Sequence, residues 1–135
     1  MKILFNLSSL LILLSVAGCN IKNIDKPPLG EVAVWKKPRA DFTEVGKTLL
    51  ECGLSSLINA DTENRKLSYN ANATIDACMI QSGFRDKERA NWCSPFNGRD
   101  LPIYQPSSVI PRRSVKKRLN SPYCKKYKNA PECKP

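Results

Sequence analysis

The residues with most chemistry to offer are six cysteines. Cys19 stands apart, directly after Val16-Ala17-Gly18 at the end of an apolar run that begins at Ile3. Setting it aside leaves Cys52, Cys78, Cys93, Cys124 and Cys133. Cysteines this dense in a short exported chain read as covalent staples. Five allow at most two internal bridges and one leftover thiol, which is buried, reactive or paired with another chain. A Cys52–Cys78 bridge would close a loop of roughly 27 residues and contribute about 3 kcal/mol by the chain-entropy estimate. Cys124 and Cys133 could close a small terminal loop, which leaves Cys93 free. The rival scheme joins Cys93 to Cys124 or Cys133, and spacing does not choose between them. The chain has no histidine, which removes the usual general base, the common pH switch and the most frequent metal ligand. No Cys-x-x-Cys pair is present either, so no metal site is expected. Glu51 lacks a second carboxylate at helical spacing and reads as a solvated helix residue. Trp35 reads as a cover over packed helices. Cys93 has no visible base, although neighbouring Lys and Arg side chains would lower its pKa. Nothing around Arg85, Ser94 or Ser107 builds a site. The expectation is a protein with no catalytic residues and no enzymatic activity.

The elements that position these cysteines begin with an address. Met1-Lys2, an apolar run too short to span a bilayer, and small residues at its end describe a secretory signal. With Cys19 next, the stretch resembles the lipobox of bacterial lipoproteins. The resemblance implies a thioether-linked diacylglycerol on Cys19 and cleavage between Gly18 and Cys19, and that covalent lipid is the only cofactor expected. Acyl chains on Cys19 would anchor the protein stably. Asn20, where an aspartate would favour inner-membrane retention, leans toward the outer membrane, facing the periplasm.

The chain divides into a signal (1–18), a tether (19–34), a helical module (35–96) and an irregular basic tail (97–135). The tether mixes polar residues with Gly30 and with Pro27-Pro28, and the prolines stiffen it. Glu31 to Trp35 suggests a short extended segment leading to Pro38. A first helix is predicted from Asp41 as cap, with Glu44 three residues on. Phe42, Val45, Leu49 and Cys52 trace one face of it, and Gly53 is a natural stop. A further turn is possible over Leu54 to Ile58, and Asp61 to Asn70 reads as a loop. A second helix is predicted from about Ala71 to Ser82, capped by Asn70 or Asn72, with Ile75, Cys78 and Met79 on one face. Gly83-Phe84 fits a Schellman end with Phe84 folded back. Asp86 to Trp92 could add a turn or two, with Asp86 as cap. From Asn97 on, prolines break any period; extended or disordered backbone is expected, with a short helix around Arg113 to Leu119. The fold class is mainly α: a small disulfide-stapled module of two to three helices with an irregular, Pro-rich basic C-terminal tail.

Charge is lopsided. Lys and Arg number 22 against 12 Asp and Glu over the whole chain, yet residues 111–135 hold nine of the bases and only Glu132 as an acid. Such a tail seeks anions. Arg112, Arg113, Lys116, Lys117, Arg118, Lys125, Lys126 and Lys128 are the candidates. In a cell envelope the partners would be anionic lipid, lipopolysaccharide or a wall polymer, with an envelope protein possible and nucleic acid not expected. A solvated tail that only aids solubility is the alternative.

Three strings add a wider likeness: Trp35-Lys36-Lys37-Pro38, Glu51-Cys52-Gly53 and Cys78-Met79-Ile80-Gln81-Ser82-Gly83-Phe84. They resemble a pattern of Trp-x-x-Pro-Gly, Glu-Cys-Gly and Cys-Met-x-x-x-Gly-Tyr/Phe in small, largely uncharacterised lipoproteins of Gram-negative bacteria. Arg39 departs from it, standing where glycine is common. The resemblance covers about residues 35–93 plus the lipobox and implies no activity. The functional expectation is an envelope lipoprotein with a structural or interaction role. The alternative is a phage- or plasmid-type exclusion factor that blocks an outer-membrane receptor. A lysozyme inhibitor fits less well, because lysozymes are usually basic and would be repelled.

Overall fold

A computed structural model describes residues 31–87 and 100–135. The expectations for Gly18, Cys19, the tether as far as Gly30, Cys93, Ser94 and most of the Asp86–Trp92 turn lie outside the described residues. In chain order the elements are α1 (Glu31–Val34), β1 (Trp35–Lys36), α2 (Phe42–Glu51), α3 (Thr62–Arg65), α4 (Tyr69–Gln81) and β2 (Arg85–Asp86). A 3-10 turn at Pro102–Tyr104, α5 (Val115–Leu119), α6 (Pro122–Lys126) and a second 3-10 turn at Pro131–Cys133 follow. The architecture is mainly helical, with two disulfides and a Pro-rich C-terminal region.

Helix α2 starts where its cap dictates. Asp41 has extended backbone and accepts from the Glu44 N–H at 2.8 Å, satisfying a donor that the helix leaves orphaned. At the other end, Gly53 N–H bonds to the Leu50 carbonyl and Leu54 N–H to the Leu49 carbonyl, the paired bonds of a Schellman end. Helix α4 closes the same way: Gly83 N–H bonds to Ile80 and Phe84 N–H to Met79. Gly53 and Gly83 hold φ of 114° and 94°, which side chains with a Cβ resist. Phe84 is folded back and fully buried. The start of α4 differs from expectation. Ser68, not Asn70 or Asn72, caps it by accepting from Ala71 N–H, so the helix begins at Tyr69. Asn72 instead donates to the Ser68 carbonyl, and the Asn70 side-chain oxygen accepts from Ile103 N–H at 2.9 Å.

Cys52 and Cys78 are bridged, with Cα atoms 5.6 Å apart, and they tie α2 to α4 inside the main core. Around them pack Trp35, Val45, Leu49, Leu54, Ile75, Met79 and Phe84. Burial of these side chains, each worth about 1.5–3 kcal/mol relative to exposure, supplies most of the driving force. Trp35 lies deep in this cluster, and its indole N–H has no hydrogen-bond partner among the described residues. Phe42 does not belong to the buried face: it is 66 % exposed. As the first helical residue, its side chain leans back past the helix start, beyond the layer that Val45 opens.

Residues expected to be extended or looped are in part helical. Glu31–Val34 forms one turn before a two-residue ribbon, in which Trp35 pairs with Asp86 and Lys36 with Arg85. Asp86 is therefore a strand residue rather than a helix cap. Asp61 caps α3 inside the expected loop by accepting from Glu63 N–H. Beyond Gly53 no further helical turn forms. Asn64 braces that stretch instead, accepting from the Ser56 N–H at 2.9 Å and donating to the Ser56 carbonyl at 2.8 Å.

From Asp100 the chain lies against the helices. Ile103 packs on Ala73 and Ala77 of α4, whose small side chains let the 3-10 turn approach. Cys124 and Cys133 are bridged and pack on Leu50 of α2. The expected helix near Arg113–Leu119 is α5; α6 was not expected, although Ser121-Pro122 is a cap followed by proline at the first helical position. No described helix is long and apolar enough to cross a membrane.

Candidate functional site: a basic face pinned to helix α2

Helix α2 ends on an acid. Glu51 sits in its last turn, where the helix dipole disfavours negative charge and which holds no basic residue. Its sequence context suggests a solvated carboxylate. It is 4 % exposed instead, because the C-terminal segment covers it. Its Oε1 accepts from Arg113 Nε and its Oε2 from Arg118 Nε, both at 2.8 Å. Arg113 also reaches Glu44 Oε1 through Nη2 at 3.1 Å. Arg118 turns Nη1 to the carbonyls of Glu132 and Lys134, at 2.7 and 2.5 Å. The backbone joins in, with Ser114 N–H donating to the Glu51 carbonyl at 3.0 Å. Two carboxylates thus balance two guanidiniums, and the saturated hydrogen bonding offsets the desolvation of the ions. Burial works against the Arg113 charge, but the hydrogen bond and charge of Glu51, then Glu44, outweigh it and raise its pKa above the ordinary value.

Two of the eight anion-binding candidates are therefore corrected. Arg118 is buried and Arg113 is committed to carboxylates, so both fasten the segment and neither is offered to an outside anion. Arg112, Lys116, Lys117, Lys125, Lys126 and Lys128 are exposed, and Lys134, missed in the sequence reading, joins them. Lys116 and Lys117 on α5 and Lys125 and Lys126 on α6 are presented from two short helices, each capped by a serine: Ser114 accepts from Lys117 N–H and Ser121 from Cys124 N–H. Tyr123 N–H binds the Ser55 carbonyl, and the Cys124–Cys133 bridge closes the end of the segment. Val115 and Leu119, four residues apart on α5, stand exposed among the lysines.

Lys126 lies over the Tyr127 ring at 5.5 Å, and the rings of Tyr123 and Tyr127 are 5.0 Å apart. Burial, then the Glu132 charge, raises the Tyr123 pKa, so the phenol stays protonated and neutral at physiological pH. Asp61 is held below its ordinary 3.8, chiefly by the Glu63 N–H, then by Ser56, with lesser help from Lys126 and Lys66. Among the described residues no group of three or more His, Cys, Asp or Glu is gathered as a metal site. Ser107 is exposed.

One signal for the buried acid was present in the sequence. Thr48, Leu49, Leu50, Glu51 and Cys52 run consecutively through all sides of a helix, and all are buried. Leu50 lies about 100° round the helix from Leu49, so the apolar surface extends past the Val45–Leu49–Cys52 stripe to Leu50, which the C-terminal cluster covers. No family model, no curated protein and no solved structure matches the chain at a significant level.

Proposed function

We propose that this chain is a membrane-anchored envelope lipoprotein with a non-enzymatic structural or interaction role. Lipid on Cys19 would hold it to the membrane, and the basic face would contact an anionic envelope surface. The observation that carries the reading is the set of exposed cations on α5 and α6, fixed by Glu51 and the Cys124–Cys133 bridge rather than spread along a free tail. Pre-organised cations lose less side-chain and backbone entropy on docking than a disordered basic tail does. Val115 and Leu119 beside them suit a surface with an apolar layer beneath its charges, as anionic lipid and lipopolysaccharide have. Two disulfides fit an oxidising compartment, which is where the signal and lipobox would deliver the chain.

The test is retention of the detergent-extracted protein on immobilised lipopolysaccharide across a salt gradient. The native chain should be retained at low salt and released as screening grows. A variant with Lys116, Lys117, Lys125 and Lys126 all changed to Ala should elute at least tenfold more weakly bound. Equal retention of the two proteins would refute the basic face as the contact.

A further inference from the structure

The ribbon joining β1 to β2 sets two like charges against each other. Lys36 and Arg85 are cross-strand partners, both exposed. Side chains in that relation have Cβ atoms about 5 Å apart, and like charges there destabilise the pairing. No carboxylate pairs with either among the described residues. Asp86 is in register with Trp35, so strand alternation puts it on the other face of the ribbon. The two cations line one cleft of about 460 Å³, together with Pro38 and Gly83. Lys37, the intervening cation, is already engaged: its Nζ donates to the Ser82 carbonyl at 2.9 Å and lies 5.2 Å from the Phe84 ring centre. Gly83 brings no side chain into the cleft, and Pro38 gives it a stiff rim. The ribbon end is otherwise well fixed, because Lys87 N–H binds the Val34 carbonyl and Phe84 is locked in the core.

From this juxtaposition we infer that the Lys36–Arg85 cleft is a binding site for a phosphate monoester. Such a group carries nearly two negative charges at neutral pH and three acceptor oxygens. It neutralises both cations at once, the guanidinium taking two oxygens side by side and the ammonium acting as a point charge. The site is built from elements other than those of the basic C-terminal face, and it stands or falls independently of that face. The phosphate is carried either by a soluble compound or by a lipid headgroup.

The full chain in neutral detergent, titrated with inorganic phosphate at constant ionic strength and followed by thermal unfolding, tests this. Phosphate should raise Tm saturably where chloride does not. Lys36→Gln and Arg85→Gln should each weaken phosphate binding at least tenfold while leaving Tm without phosphate unchanged or higher. Lys36→Glu, which creates a cross-strand ion pair, should raise the phosphate-free Tm and abolish the response. The variant lacking Lys116, Lys117, Lys125 and Lys126 should respond like the native chain. Dihexanoyl phosphatidic acid binding more tightly than glycerol phosphate identifies a lipid-borne ligand, and equal binding identifies a soluble one. The inference is overturned if the native chain shows no saturable response to phosphate. It is equally overturned if Lys36→Gln and Arg85→Gln bind phosphate within twofold of it, or if the response vanishes only with the C-terminal lysines.

Discussion

Glu51 decides where the C-terminal third of the molecule goes. Both its oxygens are taken by arginines, and one of these, Arg118, is itself 3 % exposed and holds two more carbonyls of the last residues. Replacing one partner of a buried pair strands the other charges, an effect of about 3–5 kcal/mol. Glu51→Gln keeps the shape and should lower the unfolding free energy by about that amount in denaturant titration. Glu44→Gln touches only the half-exposed branch of the network, where the loss should stay below about 1 kcal/mol. Equal effects from the two would contradict the keystone role of Glu51. Arg39 is the other telling residue. Ala40 N–H bonds to the Lys37 carbonyl, closing a turn with Pro38 at its second position and Arg39 at its third, at φ 68°. That is a type II turn, whose third position favours glycine. The turn survives the departure from glycine, with a local strain of about 1 kcal/mol. Arg39→Gly should therefore stabilise the fold by no more than about 0.5 kcal/mol, since much of the relief is offset by the greater freedom of glycine in the unfolded chain. A destabilised Arg39→Gly chain would mean that the arginine side chain makes a compensating contact.

At the scale of elements, local chemistry was the part most legible in the sequence. Asp41 with Glu44, Gly53, and Gly83 with Phe84 marked helix ends by short-range hydrogen bonds that need no knowledge of the fold. The candidate Cys52–Cys78 bridge, suggested by two helices each carrying a cysteine on an apolar face, is present. What escaped reading depends on contacts distant in sequence. Asn70 looked like a cap because its side chain suits one, but Ile103, 33 residues away, claims it. Glu51 looked solvated because its partners are 62 and 67 residues away. Charge alone does not distinguish a lysine in water from an arginine clamped on a carboxylate, as Arg113 and Arg118 are. Asp61 and α3 belong to the middle case, a local cap inside a stretch too polar to suggest a helix. Because its pKa is lowered by folding, Asp61 stabilises the fold above its unfolded value, and the contribution fades as pH falls below about 3.8 toward the folded value. Carboxyl NMR should find Asp61 titrating below that value, and Asp61→Asn should flatten the fall in stability on the acid side. An ordinary titration would contradict the capping geometry.

For the molecule as a whole, small size makes the covalent closures weighty. The main cluster holds nine buried residues, and two satellite clusters depend on the C-terminal segment lying in place. One bridge spans 26 positions and the other 9, so they constrain the unfolded chain on different scales. Cys52→Ala and Cys78→Ala should each lower stability by about 3 kcal/mol, and the double variant by no more than either single one. Additive losses would show that the cysteines contribute through packing and not through their bond. A Cys124→Ala, Cys133→Ala chain should lose its basic face first, while the α2–α4 core remains folded.

The most direct test of the central claim, a lipid anchor fastening a doubly stapled helical domain, is the intact mass of membrane-extracted protein before and after reduction. The expected species begins at Cys19, carries acyl groups and gains four hydrogens on reduction, two for each bridge. A mass that retains residues 1–18, or one without acyl chains, would contradict it.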